Sequence, residues 1–206
     1  MMKTVWIYIN GILCRPGAAS AWNGRAVTWT HRRLGDGHVA EKFEYMAFAV
    51  TRGLFLDHWA AALAGLVRAY WGHTVNLVGH SNGCELIVRA LPKLDGQQLG
   101  ELHLFAPACE ADCRRNGFNV ALENGQVGSL HLYRSGRDRA LGLARLSQLL
   151  CCPVLRYGTL GLEGPGNLSF IAAAAVYDHV EPDFGHSDWW SEACFEATMR
   201  KVTMGR

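Results

Sequence analysis

A three-layer α/β/α sandwich on a mostly parallel sheet is the architecture this sequence predicts. Short apolar runs without polar alternation recur along the chain, as strands buried on both faces do. Amphipathic, helix-like segments separate them, which is the order of strand–helix–strand crossovers. One run, Val75-Asn76-Leu77-Val78, feeds Gly79-His80-Ser81-Asn82-Gly83, and a helix-like stretch from Cys84 to Leu91 follows at once. The 206 residues are 50% hydrophobic and only 18% charged, which favours a packed core over a disordered chain. That length fits one domain over 1–206, with no internal repeat, low-complexity tract or linker.

The elements follow in order. Val5 to Ile9, rich in Val, Ile, Trp and Tyr, reads as a buried first strand. Lys3, the apolar Thr4 to Ile9 and Ala18-Ala19-Ser20-Ala21 imitate a secretory leader with a small-residue cleavage site. Asn10-Gly11 interrupts the apolar run too early for a leader, so the strand reading is preferred. Trp22 to Leu34 reads as a helix and Phe43 to Ala49 as the next strand. Asp57 is expected to cap a helix over His58 to Trp71, where Ala60, Leu63, Ala64, Val67 and Tyr70 form one stripe. Thr74 to Val78 is the strand ahead of Ser81, and the helix behind it should stop near Pro92 to Gly96. Leu102 to Phe105 reads as a strand, a polar excursion runs through Gly128, and Leu130 to Tyr133 reads as another strand. Leu141 to Leu150 is expected to be helical. Gly158 to Asn167, with four glycines and a proline, is either a surface loop or part of a substrate-site wall. Ile171 to Tyr177 is expected as the last strand and Trp189 to Val202 as the closing helix.

Composition excludes several classes of partner. The formal charge is +2, and the basic pairs Arg32-Arg33 and Arg114-Arg115 stand alone, so no nucleic-acid footprint is expected. No run approaches the length of a membrane span, so stable membrane anchoring is not expected. Seven cysteines, an odd number among apolar neighbours, indicate reduced thiols and a cytoplasmic setting. Cys109 and Cys113 have a spacing that could share a helical face, but no second pair with ligand spacing accompanies them. Both, like Cys151-Cys152, read as buried small hydrophobes, and no metal is expected.

The chemistry centres on G-x-S-x-G. A strand before it and a helix after it put Ser81 on a sharp turn, with small residues at 79 and 83 where any Cβ would crowd the backbone. The helix behind it aims backbone N–H groups and a positive dipole end at the serine. A serine hydroxyl needs a base to take its proton and a partner to orient that base. In a parallel sheet these groups belong at the carboxyl ends of strands. Downstream, the strand Leu130 to Tyr133 runs through Arg134-Ser135-Gly136-Arg137 to Asp138. Later, Pro182-Asp183-Phe184-Gly185 leads to His186 and Ser187-Asp188-Trp189-Trp190.

The elbow GHSNG, the post-strand SGRD, the late GHSDWW and the early VWIYINGI together resemble the α/β-hydrolase superfamily in nearly the whole chain and in chain order. The resemblance implies an α/β-hydrolase fold with minimal or no lid. It implies Ser81 as nucleophile, His186 as general base and acid, and Asp138 as the group that fixes the imidazole. It also implies that the backbone N–H groups of Asn82 and Ile12 hold the oxyanion. Gly11, His80 and Trp189 are the candidate substrate contacts, although packing is the stronger reading for His80 and at least an equal one for Trp189 or Trp190. Cys84 and Asn10 depart from the superfamily's commoner residues, glycine and histidine respectively. Rivals for the acid are Glu110 and Asp112, after the preceding strand, and the rival base is His179. Arg134, Arg137 and Arg139 either attract an anionic substrate or are solvated.

The function implied is hydrolysis of a small-molecule carboxylic ester or thioester through an acyl-enzyme, without cofactor. An amidase or peptidase on the same three residues, or a non-catalytic binding protein of the same fold, is the alternative. The sequence carries no signal for the oligomeric state.

Overall fold

The computed structural model describes residues 2–11, 22–45, 55–149 and 158–204. Six strands form one sheet: β1 (Thr4–Ile9), β2 (His38–Phe43), β3 (Thr74–His80), β4 (Leu99–Phe105), β5 (Val127–Arg134) and β6 (Val176–Val180). Their order is β2-β1-β3-β4-β5-β6, and every neighbouring pair is parallel. The helices are α1 (Trp22–Leu34), α2 (Leu56–Ala69), α3 (Asn82–Ala90), α4 (Phe118–Glu123), α5 (Arg139–Leu149), α6 (Leu160–Glu163), α7 (Phe170–Ala173) and α8 (Glu192–Met204).

β1 shows how the sequence builds three layers. Val5, Ile7 and Ile9 point to one face, where they join Leu63, Ala64 and Val67 of α2 and Leu86 and Ile87 of α3. Trp6 and Tyr8 point to the other, where they join Ala26 and Trp29 of α1 and Met199 and Val202 of α8. With both faces covered, apolar residues from Val5 to Ile9 serve both layers, and the period-2 alternation disappears from β1. Each such side chain removed from water contributes about 1.5–3 kcal/mol.

The two edge strands depart from the sequence expectation. Among the described residues the second strand is His38–Phe43, and most of the expected Phe43 to Ala49 run lies in 46–54, outside the described part. The last strand is Val176–Val180, and most of the expected Ile171 to Tyr177 run is α7 and the turn after it. The alanines there favour helix, and Ser169 accepts a hydrogen bond from the Ala172 N–H at 3.1 Å as an N-cap. Edge strands are half-covered, so β2 (HVAEKF) and β6 (VYDHV) carry polar residues that hide them among loops.

Smaller shifts have local causes. α2 begins at Leu56 with Phe55 as its N-cap, and Asp57 sits in the first turn instead, paired with Arg89 at 3.3 Å. Trp189 and Trp190 lie on a 3-10 turn over Asp188–Trp190, and α8 starts only at Glu192. The 158–167 segment is no simple surface loop: Leu160 is fully buried, and the Gly161 N–H bonds to the Pro107 carbonyl at 2.9 Å.

Cys84, Cys109 and Cys113 are buried, unpaired thiols in the core cluster. Burial raises the pKa of all three, that of Cys113 to about 11, so they stay protonated at neutral pH. Cys151 and Cys152 lie outside the described residues. Among the described residues no helix is long and apolar enough to cross a membrane.

Candidate active site

β3 ends at His80 and α3 begins at Asn82, so Ser81 alone makes the turn between them. Its backbone takes φ 55° and ψ −121°, a region that L-residues seldom occupy and that costs on the order of 1–3 kcal/mol. The surrounding hydrogen bonds hold it there. The Ser81 N–H donates to the Phe105 carbonyl at 2.9 Å, and the Ser81 carbonyl accepts from the Cys84 and Ala108 N–H groups at 3.1 and 3.2 Å. The flanking glycines are required sterically. A Cβ at 83 would stand 2.5 Å from the Asn10 carbonyl oxygen and 2.8 Å from that of Ile9, and one at 79 would stand 2.7 Å from Ile87 Cδ1.

The carboxyl ends of β3, β5 and β6 bring three side chains together. His186 Nε2 is 2.8 Å from Ser81 Oγ, and His186 Nδ1 is 2.7 Å from Asp138 Oδ2. Ser81 and Asp138 are buried, at 6% and 2% exposure, whereas the His186 side chain is 23% exposed. The site is therefore open to solvent on the imidazole side, while the acid is withdrawn from water. Asp138 is also the cap of α5: its Oδ1 accepts the Leu141 N–H at 3.0 Å while Oδ2 faces the imidazole. The two readings of this residue, cap and imidazole partner, are both occupied, one by each oxygen.

The rivals lie elsewhere. Glu110 is exposed and accepts the Asp112 N–H at 3.3 Å, and Asp112 binds the Arg114 N–H at 3.0 Å. His179 stacks on Tyr133 with ring centroids 4.6 Å apart and sits 3.5 Å from His131. Arg134 grips Asp178 through two nitrogens at 2.7 and 2.8 Å. Arg137 pairs with Asp183 at 2.7 Å, which links the segment of Asp138 to that of His186.

Of the candidate substrate contacts, Gly11 packs directly against Ser81 from the end of β1: a Cβ on it would stand 3.0 Å from Ser81 Cβ. Trp189 is 3% exposed and packed on Phe105, Tyr133 and Phe184, the surroundings of a core side chain. Trp190 stacks on Trp22 with centroids 3.9 Å apart. Asn82 opens α3, so its N–H lies in the helix's first turn next to Ser81, and its side-chain amide donates to the Tyr45 hydroxyl at 3.1 Å. Ile12 lies outside the described residues.

His80 has a role the sequence did not reveal. It is buried against the edge of the stacked Trp22–Trp190 pair, and its Nε2 is 2.8 Å from the backbone carbonyl of His186. A carbonyl only accepts, so Nε2 carries the proton and donates. Burial, reinforced by the neighbouring His186, pushes the His80 pKa down to about 4, and the ring is neutral at pH 7. No spacing rule reports a contact between a ring and a backbone oxygen 106 residues away.

Comparison with known proteins agrees with this fold. The family model described as "Alpha/beta hydrolase of unknown function (DUF900)" matches residues 56–178, which includes Ser81 and Asp138 and ends before His186. No curated protein matches the chain. A solved structure of an alpha/beta superfamily protein from Xanthomonas campestris pv. campestris aligns over 97% of this chain and 98% of its own, at 16% identity and a TM-score of 0.56. A second Xanthomonas campestris protein, titled an a/b serine hydrolase without lid, aligns over 100% of this chain and 83% of its own, at 16% identity and TM-score 0.51. Mouse alpha/beta hydrolase domain-containing protein 10 aligns over 96% of this chain and 87% of its own, at 13% identity and TM-score 0.54. These likenesses carry the fold, and the family match spans more than half of the residues: the chain belongs to the alpha/beta hydrolase family DUF900.

Proposed function

We propose that this protein is a serine hydrolase that cleaves a small carboxylic ester or thioester through an acyl-enzyme. The observation that carries the reading is the continuous chain Ser81 Oγ, His186 Nε2, His186 Nδ1, Asp138 Oδ2, with links of 2.8 and 2.7 Å. Ser81 Oγ attacks the acyl carbon while His186 Nε2 takes its proton. The imidazolium then gives that proton to the leaving alkoxide or thiolate as the acyl–oxygen or acyl–sulfur bond breaks. Water enters next, loses a proton to His186, and releases the carboxylic acid and free Ser81. Asp138 holds the tautomer with Nδ1–H and stabilises the imidazolium, and takes no proton itself.

The oxyanion is assigned to the N–H of Asn82 and that of Ile12, with Gly11 as the residue that lets the β1 end approach Ser81. One such donor contributes about a hundredfold to a thousandfold in rate. Hydrolysis inside the cytoplasm is the setting we propose, and the buried free thiols at 84, 109 and 113 support a reducing compartment.

The test is covalent labelling. A fluorophosphonate probe should modify the native protein at Ser81, Ser81→Ala should abolish labelling, and the wild type should turn over short-chain p-nitrophenyl esters. Failure to label where a known esterase reacts, with no ester turned over, overturns the reading and favours a ligand-binding protein of the same fold.

A further inference from the structure

Away from Ser81, three adjacent strands carry a second concentration of donor side chains. β4 contributes Glu101 and His103, β5 contributes His131, and β6 contributes His179. His103 and His131 are register partners, with rings stacked at 4.5 Å between centroids. One donor atom each from Glu101, His103 and His131 lies within 4.8 Å of the others. Glu101 Oε2 is 3.0 Å from His103 Nε2, and His179 Nε2 is 3.5 Å from His131 Nδ1.

Outer contacts orient these groups. His103 Nδ1 is 3.2 Å from the Tyr133 hydroxyl, which leaves Nε2 toward Glu101, and the Ser129 hydroxyl is 3.2 Å from His131 Nε2. His103 is 1% exposed, where an apolar ring would fill the same space without burying two ring nitrogens. The Glu101 side chain is 43% exposed, which opens the cluster to ions from solvent. On the helix side, Lys201 is engaged with Glu181 at 3.3 Å.

We infer that Glu101, His103 and His131 bind a zinc-class divalent cation at a site separate from Ser81, His186 and Asp138. Two imidazoles with one carboxylate are a donor set for borderline cations, not for calcium or magnesium. Tetrahedral zinc at about 2.0–2.1 Å from each ligand places donor atoms about 3.3 Å apart. Glu101 Oε2 and His103 Nε2 stand 3.0 Å apart, close to that spacing, and a donor atom of His131 lies within 4.8 Å of both. Binding is by lone-pair donation alone, and any imidazole proton at a donor nitrogen leaves to solvent.

Calorimetric titration of the EDTA-treated full-length protein with zinc chloride tests this. One equivalent should bind, Glu101→Gln and His131→Asn should each weaken binding by about tenfold or more, and the thermal midpoint should rise with zinc by mass action. Binding should persist in His186→Ala, which separates this site from the proposed catalytic imidazole and keeps the result independent of hydrolase activity. Absence of saturable binding, binding untouched by both ligand variants, or loss of binding in His186→Ala overturns the assignment. If His131→Asn does not fold, Glu101→Gln, a change at a half-exposed carboxylate, decides alone.

Discussion

At the scale of single residues, Asp138 does two things with two oxygens, and substitution can separate them. Asn at 138 keeps an acceptor for the Leu141 N–H but presents an amide to His186 Nδ1, which no longer fixes the Nδ1–H tautomer. Asp138→Asn should therefore lower kcat by about 10⁴ with little change in thermal midpoint. Asp138→Ala should lose the rate and a further ~1 kcal/mol of stability, the usual cost of an emptied cap. Rates against a p-nitrophenyl ester beside thermal melts of both variants check the pair. His80 is a positioning residue of a different kind, because its ring touches the His186 backbone and not the reacting atoms. His80→Phe keeps a ring in the buried space but removes the donor, so it should cut kcat by about tenfold with KM unchanged, the rate equivalent of one neutral hydrogen bond. His80→Gln, which restores an N–H, should recover part of that loss. Ser81, Asp138 and His186 were legible in the sequence because each follows a strand and stands beside glycine or a turn. The clamp from His80 was not legible, since its partner is a main-chain oxygen and any residue type could supply it.

At the scale of elements, the start of α3 packs directly on the end of β1. A Cβ added at 83 would fall on the Ile9 and Asn10 carbonyls, which are backbone and cannot rotate away. Gly83→Ala should destabilise the fold by about 1–3 kcal/mol despite the better helix propensity of alanine, read as a lower urea midpoint at constant m-value. A stabilised variant would contradict the close approach. The same packing explains which elements could be read from sequence. β1, β3 and the middle of β4 and β5 are covered on both faces, so their apolar runs announced them within a few residues. β2 and β6 are edges whose burial alternates or is thin, and apolar runs beside them, 43–49 and 171–177, drew the expectation off register. Ala172 to Ala175 is apolar without being strand-forming, a distinction that hydrophobicity alone does not make.

At the scale of the whole molecule, the fold buries imidazoles in neutral form, and that couples its stability to acid. His80 has its pKa pushed from the ordinary 6.5 to about 4, first by burial and then by His186, with Asp138 opposing. Burial lowers His103 and His131 in the same direction. The unfolded chain takes up the His80 proton near pH 6.5, whereas the folded protein resists until about pH 4. Between those values the unfolded state binds more protons, so stability falls as the pH falls through this window and is level above it. For His80 alone the full difference is about 3 kcal/mol, reached near pH 4. Thermal melts of the metal-free protein from pH 7.5 down to 4 should show this fall, and His80→Phe, which has nothing to titrate at that position, should show a shallower one. Parallel curves for the two proteins would mean that the ring takes its proton as readily in the folded state as in the unfolded chain, and that its place beside the stacked Trp22 and Trp190 is open to water.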